Sequence, residues 1–470
     1  MEIKKALKSK AMKVTGIVLG VLLFVSLFIF KPIDRTPYQE SDYYTKTLEN
    51  FPRLTQTSST SPKDSLLVGW AKASLVSSKP TPMAGYGIRH GALYEAVHDS
   101  IWTKAFVFDN GIQRHAYVSL DLLIVPMEVT QMLPRALDSI GFDISDVFLT
   151  AVHSHSSMGG WGTGIAGELF AGEYDEKVVR FIVQSVVEAI SKAILNLERT
   201  LMGYSEIQAA GYVSNRLVGD QRGGIDPWIR VLKFVNQSNK SALLAVFAAH
   251  ATCLTPDFMG LSADYPGQLC RNLEEFEQFD FAIFSAGAMG SMAPLIPTLS
   301  GWSRAEFIAD GLADQISMVG NFMPVRNETT LQGFDIDLHL RESSFKISEN
   351  ISLRPWVFEI LFGTYPSQIT SLRVGEVLFV GMPCDFSGEL VEPLAKKARE
   401  VGLHLVITSF NGGYIGYVTK DEWYDLNEYE TRVMNWFGPY NGAYFSELIE
   451  KVIEVHAEAN QYSTGISTNK

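Results

Sequence analysis

The sequence predicts an α/β fold: a single large domain, over residues 66–460, in which mixed β-sheets are flanked by helices. Two observations lead to this class. Short apolar runs typical of buried strands alternate with amphipathic helical patterns, and no strong change in composition divides the chain after residue 65. The chain has 470 residues, of which 46% are hydrophobic and 11% aromatic, and this length suffices for one large domain or two ordinary ones.

The N-terminal segment predicts a membrane anchor. Residues 1–13 contain five lysines and one glutamate, and residues 14–30 are 17 apolar or small residues without a charge. This is the lower limit for a membrane-spanning helix, and flanking lysines stay on the cytoplasmic side. We therefore expect a single-pass protein with a cytoplasmic N-terminus and a periplasmic or extracellular body. Because no small-x-small site follows, an uncleaved anchor is preferred over a cleaved signal peptide, which stays the alternative.

The remaining elements follow from local patterns. Residues 31–65 are polar and interrupted by prolines, which is typical of a flexible linker, and residues 461–470 form a polar tail. Apolar residues recur at three and four over 176–198, which predicts an amphipathic helix, and a closing helix is expected over 444–459. The runs that predict buried strands are 115–125, 146–152, 242–250, 281–287, 375–383 and 404–410.

Charge and cysteine content exclude two classes of protein. The formal net charge is −13, and the basic N-terminus leaves −17 for the rest of the chain. Such an acidic body disfavours nucleic acid as a partner, because phosphates require a basic face. The three cysteines, Cys253, Cys270 and Cys384, lack CxxC or zinc-knuckle spacing, so a disulfide-framed secreted module is not expected.

The stretch TAVHSHSSMGGWG, residues 150–162, carries the strongest chemical signal. On a strand, side chains two residues apart face the same side, so His153 and His155 are expected to point into one space. His250 and Asp385 follow two other predicted strands, and strand ends are where α/β enzymes gather their sites. Neutral imidazoles on rigid elements suit zinc, whereas core histidines bonded to backbone groups are the ordinary alternative.

Six ordered stretches resemble the neutral ceramidases, the zinc-dependent amidases that split ceramide into sphingosine and fatty acid. The stretches are MAGYG (83–87), HSHSSMGG (153–160), SNR (214–216), FAAHATCL (247–254), MPCDF (382–386) and YIGYVTKDEWYDLNEYE (414–430). The first histidine stretch is similar to the HTHSGPGG signature of that family. The resemblance implies the fold of its catalytic domain. A separate C-terminal immunoglobulin-like domain is not expected, because the chain ends with the helix predicted over 444–459.

The resemblance also implies a role for each matching residue. One zinc ion per chain would be held by His153, His250, Asp385 and Tyr417. The catalytic residues would be His155, Arg216 and Tyr429, and substrate would be contacted at Gly85, Ser291 and Ala293. Zinc lowers the pKa of its bound water toward 7, which makes hydroxide available to attack an amide carbonyl. The leaving amine would take a proton from His155 or Tyr429.

Ordinary structural roles remain open for several of these residues. The alternative for Arg216 is a solvated arginine or an ion-pair partner, and for Tyr417 and Tyr429 it is a half-buried aromatic residue. Asp385 lies two residues after Pro383, so it is also a candidate N-cap of the next helix, in which case Glu389 would supply the carboxylate.

The sequence departs from the family pattern at two positions. Asp385 stands where the family has glutamate, which shortens the reach of the carboxylate by about 1.5 Å, one carbon–carbon bond. The stretch GSMAPL (290–295) corresponds to the family's GDVSPN, so Ala293 replaces its serine and Ser291 lies two residues earlier. A serine nucleophile is therefore not expected. Loss of a hydroxyl that contacts substrate often changes the substrate.

Together these observations predict a membrane-anchored, zinc-dependent hydrolase that cleaves the amide bond of a ceramide-like or other N-acyl lipid with a metal-activated water. The first alternative is a metallohydrolase of the same fold with a different amide or ester substrate. The second is an inactive descendant that binds lipid or a partner protein. The sequence does not indicate an oligomeric state.

Overall fold

The computed structural model describes residues 2–52, 65–275, 279–296, 298–364 and 367–463. The α-helices of this part of the chain are α1 (Glu2–Ile29), α2 (Asp42–Glu49), α3 (Met127–Leu137), α4 (Gly164–Ala171), α5 (Glu176–Leu195), α6 (Asp220–Gly223), α7 (Asp264–Glu275), α8 (Gly301–Gly320), α9 (Pro355–Phe362), α10 (Val391–Glu400) and α11 (Asn441–Ser463). The strands are β1 (Phe30–Pro32), β2 (Leu67–Ser74), β3 (Ala96–Val97), β4 (Trp102–Asp109), β5 (Arg114–Leu120), β6 (Val147–Ala151), β7 (Glu198–Gln208), β8 (Val213–Asn215), β9 (Trp228–Asn236), β10 (Ser241–Phe247), β11 (Gly260–Leu261), β12 (Phe281–Ala286), β13 (Met292–Pro294), β14 (Arg326–Asn327), β15 (Leu331–Asp337), β16 (Ile351–Leu353), β17 (Gln368–Val374), β18 (Val377–Gly381), β19 (Asp385–Phe386), β20 (His404–Thr408) and β21 (Tyr417–Val418).

Two mixed sheets form the framework of the domain. The larger sheet has the order β12-β10-β9-β7-β2-β4-β5-β6, with β14 paired to β7. Its inner strands run antiparallel, whereas β10–β12 and β5–β6 are parallel pairs. The smaller sheet has the order β15-β17-β18-β20, and its pair β18–β20 is parallel. The expected α/β class with mixed sheets is confirmed.

The sheets stack face to face between two layers of helices. Along β4, Ala105 and Val107 pack into the core shared with α3, α5, α7 and α8. Phe106 and Phe108, which point to the opposite face because strand side chains alternate, join Phe379 of β18 in the core between the two sheets. The outer face of the smaller sheet packs against α10 and α11. The result is a four-layer arrangement of helices, sheet, sheet and helices.

The elements predicted from sequence are present. The six predicted strand runs correspond to β5, β6, β10, β12, β18 and β20, and the two predicted helices to α5 and α11. The predictions from periodicity were correct because the apolar residues of each run form the face that packs into a core.

The predicted flexible linker over 31–65 is wrong for its first part. Residues up to 52 form β1, a short 3₁₀ turn and α2, and they pack against the body. The hydroxyl groups of Tyr38 and Tyr44 donate to Glu447 of α11 at 2.8 and 2.5 Å. The tyrosines of this segment supply enough apolar area to fold it onto the domain, despite its polar composition. Residues 53–64 lie outside the described residues.

The helix α1 contains the predicted anchor. Its window Met12–Ile29 is long and apolar enough to cross a membrane, by length and composition, and none of it is buried against the body. The strand β1 follows directly and pairs antiparallel with β16, Phe30 lying opposite Leu353. The orientation across a membrane stays a prediction.

Candidate active site

Two histidines present unprotonated nitrogens to a common point. Nδ1 of His153 lies 2.7 Å from the carbonyl oxygen of Leu123, and Nδ1 of His250 lies 2.8 Å from that of Met292. A carbonyl only accepts, so each Nδ1 carries the hydrogen and each Nε2 keeps its lone pair while the ring is neutral. Burial lowers the pKa of His153 to about 3 and that of His250 well below its usual value. Both rings are therefore neutral near pH 7.

The sequence pattern suggested that His153 lies on the strand, but it lies just beyond the strand's end. The strand β6 ends at Ala151, and His153 adopts a left-handed backbone with φ of 66°. Its ring stacks on Phe410, with ring centres 3.9 Å apart and planes at 3°. The ring is thus fixed on one face by an aromatic side chain and at Nδ1 by a carbonyl. His153 and His155 do converge, since their Nε2 atoms lie 3.2 Å apart.

Asp385 brings a carboxylate to the same point. Its strand β19 pairs in parallel with β21, and Asp385 lies directly opposite Tyr417 in the register. Oδ2 accepts a hydrogen bond of 2.6 Å from the Tyr414 hydroxyl. Oδ1 lies 3.3 Å from Nε2 of His250 and 4.0 Å from Nε2 of His153. The shorter side chain therefore reaches the histidines.

The alternative roles for this carboxylate do not fit the structure. The helix α10 begins at Val391 with Leu390 as its N-cap, so Asp385 does not cap it. Glu389 accepts from the indole of Trp423 at 3.0 Å and from the hydroxyl of Ser387 at 3.1 Å, and so its carboxylate is already bound elsewhere.

The three donors fit a bound cation. One ligand atom from each of His153, His250 and Asp385 lies within 4.8 Å of the others, and all three residues are buried. Within the described residues, Oδ1 of Asp385 accepts no hydrogen bond although it is buried. A buried carboxylate oxygen that faces two nitrogen lone pairs is unfavourable without a positive charge between them. Two imidazoles and a carboxylate are a common zinc donor set.

Tyr417 lies beside these donors. Its hydroxyl oxygen is 3.3 Å from Nε2 of His250 and accepts from Nη2 of Arg216 at 3.0 Å. Burial raises the pKa of this hydroxyl well above its usual value, with Asp385 acting in the same direction, while Arg216 opposes them. Tyr417 therefore lies against His250 and Arg216, and its role as a ligand stays a prediction.

Arg216 contacts protein groups on both sides. Its Nε donates to Glu430 at 2.7 Å, and its Nη2 donates to Tyr417 and lies 3.3 Å from Nε2 of His250. Arg216 does not line the cavity described below. These contacts favour the ion-pair interpretation over a direct contact with substrate.

His155 and Gly85 are mutually constrained. A Cβ atom on Gly85 would lie 2.6 Å from Cα of His155, and Gly85 has a φ of 112°, so only glycine fits there. Nδ1 of His155 is buried and has no hydrogen-bond partner within the described residues. The backbone carbonyl of His155 accepts from Arg89 at 2.5 Å.

An apolar cavity of about 350 Å³ adjoins the donors. Its wall includes Leu123, Ile124, Met127, Trp161, Phe170, Phe362, Met434 and Trp436. It is also lined by Gly85, His153, His155, Asp385, Tyr414, Tyr417 and Tyr429. A largely apolar wall with a few converging polar groups is typical of a ligand site.

Two predicted substrate contacts lie away from this cavity. The hydroxyl of Ser291 is hydrogen bonded to that of Ser387, and Ser291 is buried. Ala293 lies on β13 and pairs with Ser214 of β8. Neither residue lines the cavity.

Sequence reasoning missed three supporting residues. Tyr414 holds Asp385, Glu430 pairs with Arg216, and Phe410 stacks on His153. Tyr414 and Glu430 lie within the stretch 414–430 that carries the family resemblance, and that position was the available signal. Nothing in the local pattern indicated the contact of Phe410.

Comparisons with known proteins find similar sequences and folds. Residues 76–297 match the family described as Neutral/alkaline non-lysosomal ceramidase, N-terminal. The "Neutral ceramidase" of Pseudomonas aeruginosa is 26% identical over 220 residues, which are 43% of this chain and 33% of the relative. The match thus spans about a third of that relative's length.

Two solved structures share the fold. The crystal structure of neutral ceramidase from Pseudomonas aeruginosa superposes with a TM-score of 0.75 at 20% identity, over 84% of this chain and 75% of that chain. A ceramidase complexed with C2 gives a TM-score of 0.75 at 19% identity, over 84% and 76%. The structures thus share the fold of this chain, and residues 76–297 are similar to the N-terminal part of the neutral/alkaline, non-lysosomal ceramidases.

Proposed function

We propose that the protein is a membrane-anchored, zinc-dependent amidase that hydrolyses the amide bond of a ceramide-like or other N-acyl lipid. One observation carries this proposal. Nε2 of His153, Nε2 of His250 and the unbonded Oδ1 of Asp385 converge beside a largely apolar cavity. This is a metal-type donor set placed where an acyl chain and its amide would bind.

A zinc ion held by His153, His250 and Asp385, with Tyr417 as fourth ligand, would polarise the amide carbonyl and activate water. The residues around it orient and protonate the substrate. Burial lowers the pKa of His155 well below its usual value, so its ring is neutral before reaction. Its Nε2 lies beside the donor group, and His155 is the proposed group that takes a proton from the attacking water and passes it to the leaving amine. Tyr429, which lines the cavity and is partly exposed, is the proposed donor to the carbonyl oxygen. Arg216 fixes Tyr417 and thereby positions the centre.

The N-terminal helix suits a substrate that resides in a bilayer. In the proposed topology α1 spans the membrane, its lysines are cytoplasmic, and the body that follows is extracytoplasmic. An anchored enzyme meets a lipid substrate without first extracting it into water.

A specific observation favours a second candidate, a hydrolase of the same fold that acts on another N-acyl lipid or on an ester. Ala293 lacks a hydroxyl, and that of Ser291 is engaged by Ser387 outside the cavity. Neither position therefore offers a hydroxyl to a substrate in the cavity, and hydroxyl recognition is a strong determinant of specificity.

Metal analysis of the purified full-length chain tests the proposal. About one zinc per chain is expected. His153→Ala and His250→Ala should lose both the metal and the hydrolysis of fluorescent N-acyl lipids. His98→Ala is the matched control, because His98 is exposed and does not line the cavity. Absence of zinc from the unmodified chain, even after zinc is added, would contradict the proposal. Metal without hydrolysis of ceramides, other N-acyl lipids or esters would leave only the binding alternative.

A further inference from the structure

Two short helices, α4 and α9, form part of the cavity wall. Ala166, Gly167 and Phe170 of α4 and Phe362 at the end of α9 line it. Thr163 and Thr364, which flank these helices, also line the cavity and are exposed. The two helices pack against each other, so together they form one part of this wall.

The outward faces of these helices are apolar. Ile165 and Leu169 of α4 are 63% and 46% exposed, and Trp356 and Ile360 of α9 are 49% and 63% exposed. We name these four residues the α4–α9 surface. The two helices carry Glu168 and Glu359 but no lysine or arginine. Contiguous exposed apolar side chains beside a cavity mark an interaction site rather than ordinary surface.

The candidate membrane helix ends against this surface. The backbone N–H of Arg354 donates to Ile29 at 2.8 Å, and its Nε donates to Leu27 at 3.0 Å. The indole of Trp356 donates to the carbonyl of Phe28 at 3.0 Å. The pairing of β1 with β16 continues the contact on the preceding residues. The first turn of α9 is thereby tied to the last turn of α1.

We propose that the α4–α9 surface inserts into the outer leaflet of the bilayer that α1 spans, so that lipid enters the cavity directly from the membrane. The inference rests on the membrane anchoring included in the proposed function. If α1 spans the bilayer, its last turn lies at the interface, and the hydrogen bonds to Arg354 and Trp356 hold α9 at the same depth. Tryptophan is enriched at that depth, and exposed isoleucine and leucine gain by leaving water.

The occupant is a lipid bilayer rather than a protein because of this link to α1. The absence of basic residues from α4 and α9 indicates that insertion depends on apolar burial and not on anionic head groups. Insertion is therefore expected in vesicles of zwitterionic phosphatidylcholine alone.

Site-specific fluorescence tests the inference without requiring turnover. All three native cysteines are buried, so a polarity-sensitive dye reports the introduced cysteine. The full chain is labelled at Ile360→Cys or Leu169→Cys and placed in phosphatidylcholine vesicles that carry an acyl-chain quencher. Leu195→Cys and Phe322→Cys, at positions 84% and 87% exposed, are matched controls. We expect quenching at 360 and 169 and none at 195 and 322.

The possible outcomes distinguish insertion of the α4–α9 surface from anchoring by α1. A chain that floats with the vesicles but shows no more quenching at 360 than at 322 overturns the inference and leaves the anchor intact. If the chain does not float with the vesicles, α1 does not anchor it, and the inference is overturned together with the anchor. Because this readout needs no substrate, a failure of the proposed hydrolysis does not affect it.

Charge on the surface gives a second test. Ile165→Glu with Ile360→Glu should lower hydrolysis of a bilayer-embedded N-acyl lipid by about a hundredfold, because two large apolar side chains are lost and each is worth about tenfold. Hydrolysis of a short-chain, water-soluble amide should not change, because neither residue lines the cavity. The control pair is Leu195→Glu with Phe322→Glu. An equal loss on both substrates would overturn the inference.

Discussion

The candidate metal centre adjoins the cavity, whereas the α4–α9 surface lies outside it, on two helices that form part of its wall. The two regions are built on opposite principles. His153, His250 and Asp385 are buried and fixed by hydrogen bonds to carbonyl groups or to Tyr414. The α4–α9 surface is exposed, and its side chains offer area rather than directed atoms. An ion requires donors placed within fractions of an ångström, whereas a lipid phase requires only apolar area facing it. A single substitution at the candidate metal centre should therefore abolish activity, whereas substitutions on the α4–α9 surface should reduce it in steps.

The largest effect is expected for Asp385→Asn. The substitution removes the negative charge but keeps the shape, so zinc should be lost and hydrolysis abolished. In metal-free protein the variant should be at least as stable as the unmodified chain, because a buried carboxylate with an unbonded oxygen is costly. Added zinc should raise the melting temperature of the unmodified chain only.

Thermal unfolding with and without zinc checks this prediction. Asp337→Asn serves as the control, because Asp337 is exposed at the end of β15. If the Asp385→Asn variant is stabilised by zinc as strongly as the unmodified chain, Asp385 is not a ligand.

Gly85→Ala should have the next largest effect. The added methyl group would lie 2.6 Å from Cα of His155, and alanine is strained at a φ of 112°. Displacement of His155 by such a contact is expected to lower kcat by about a hundredfold, the usual cost of a misplacement near 1 Å. Zinc content should not change, because His155 is not a proposed ligand.

Gly211→Ala is the matched control for Gly85→Ala, since a Cβ there meets nothing within 4 Å. Steady-state kinetics and elemental analysis of both variants provide the measurement. Full activity of Gly85→Ala would show that the position of His155 is not critical for catalysis.

Tyr414→Phe removes only the hydrogen bond to Oδ2 of Asp385. Loss of such an outer partner of a metal ligand usually weakens binding by about tenfold to a hundredfold. We expect a zinc affinity lower by that factor and an activity restored by excess zinc. Competition with a zinc chelator measures the affinity. Tyr204→Phe, which removes a hydroxyl bonded to Glu206, is the control. Unchanged zinc affinity would refute the positioning role of Tyr414.

Sequence alone predicted the convergence of His153, His250 and Asp385 better than the contacts around them, for a physical reason. Zinc donors belong to few residue types, so His153, His250 and Asp385 could be singled out at strand ends. The groups that hold these donors could not be predicted. Phe410 contributes only the face of its ring, and Leu123 and Met292 contribute backbone carbonyls, which every residue type has. The linker prediction was wrong because it was based on the polar composition and the prolines of the segment. Three tyrosines in it, Tyr38, Tyr43 and Tyr44, pack on Tyr444.

The exposure of the α4–α9 surface could not be predicted from the sequence either. GIAGELFA and PWVFEILF, the sequences of α4 and α9, would be taken as buried helices from composition alone. Only the fold shows that Ile165 and Ile360 face outward, and only the contacts of Trp356 relate them to α1. Apolar residues that serve a core and those that meet a membrane are chemically identical, so their placement must be known to tell them apart.

The smallest effect is expected for Ala293→Ser, which restores the family's hydroxyl. Ala293 lies on β13, next to Met292, whose carbonyl bonds His250, but it does not line the cavity, so we expect no direct contact between a new hydroxyl and the substrate. We expect the preference for ceramide over an N-acyl lipid without hydroxyl groups to rise by less than about tenfold, below the range of a fully buried hydroxyl contact. Competition between the two lipids in one vesicle measures the ratio directly, and Ala288→Ser, at a buried core position, controls for the added atom. A rise of a hundredfold or more would show that Ala293 faces the bound substrate, and it would make the unmodified chain an enzyme for a less hydroxylated lipid.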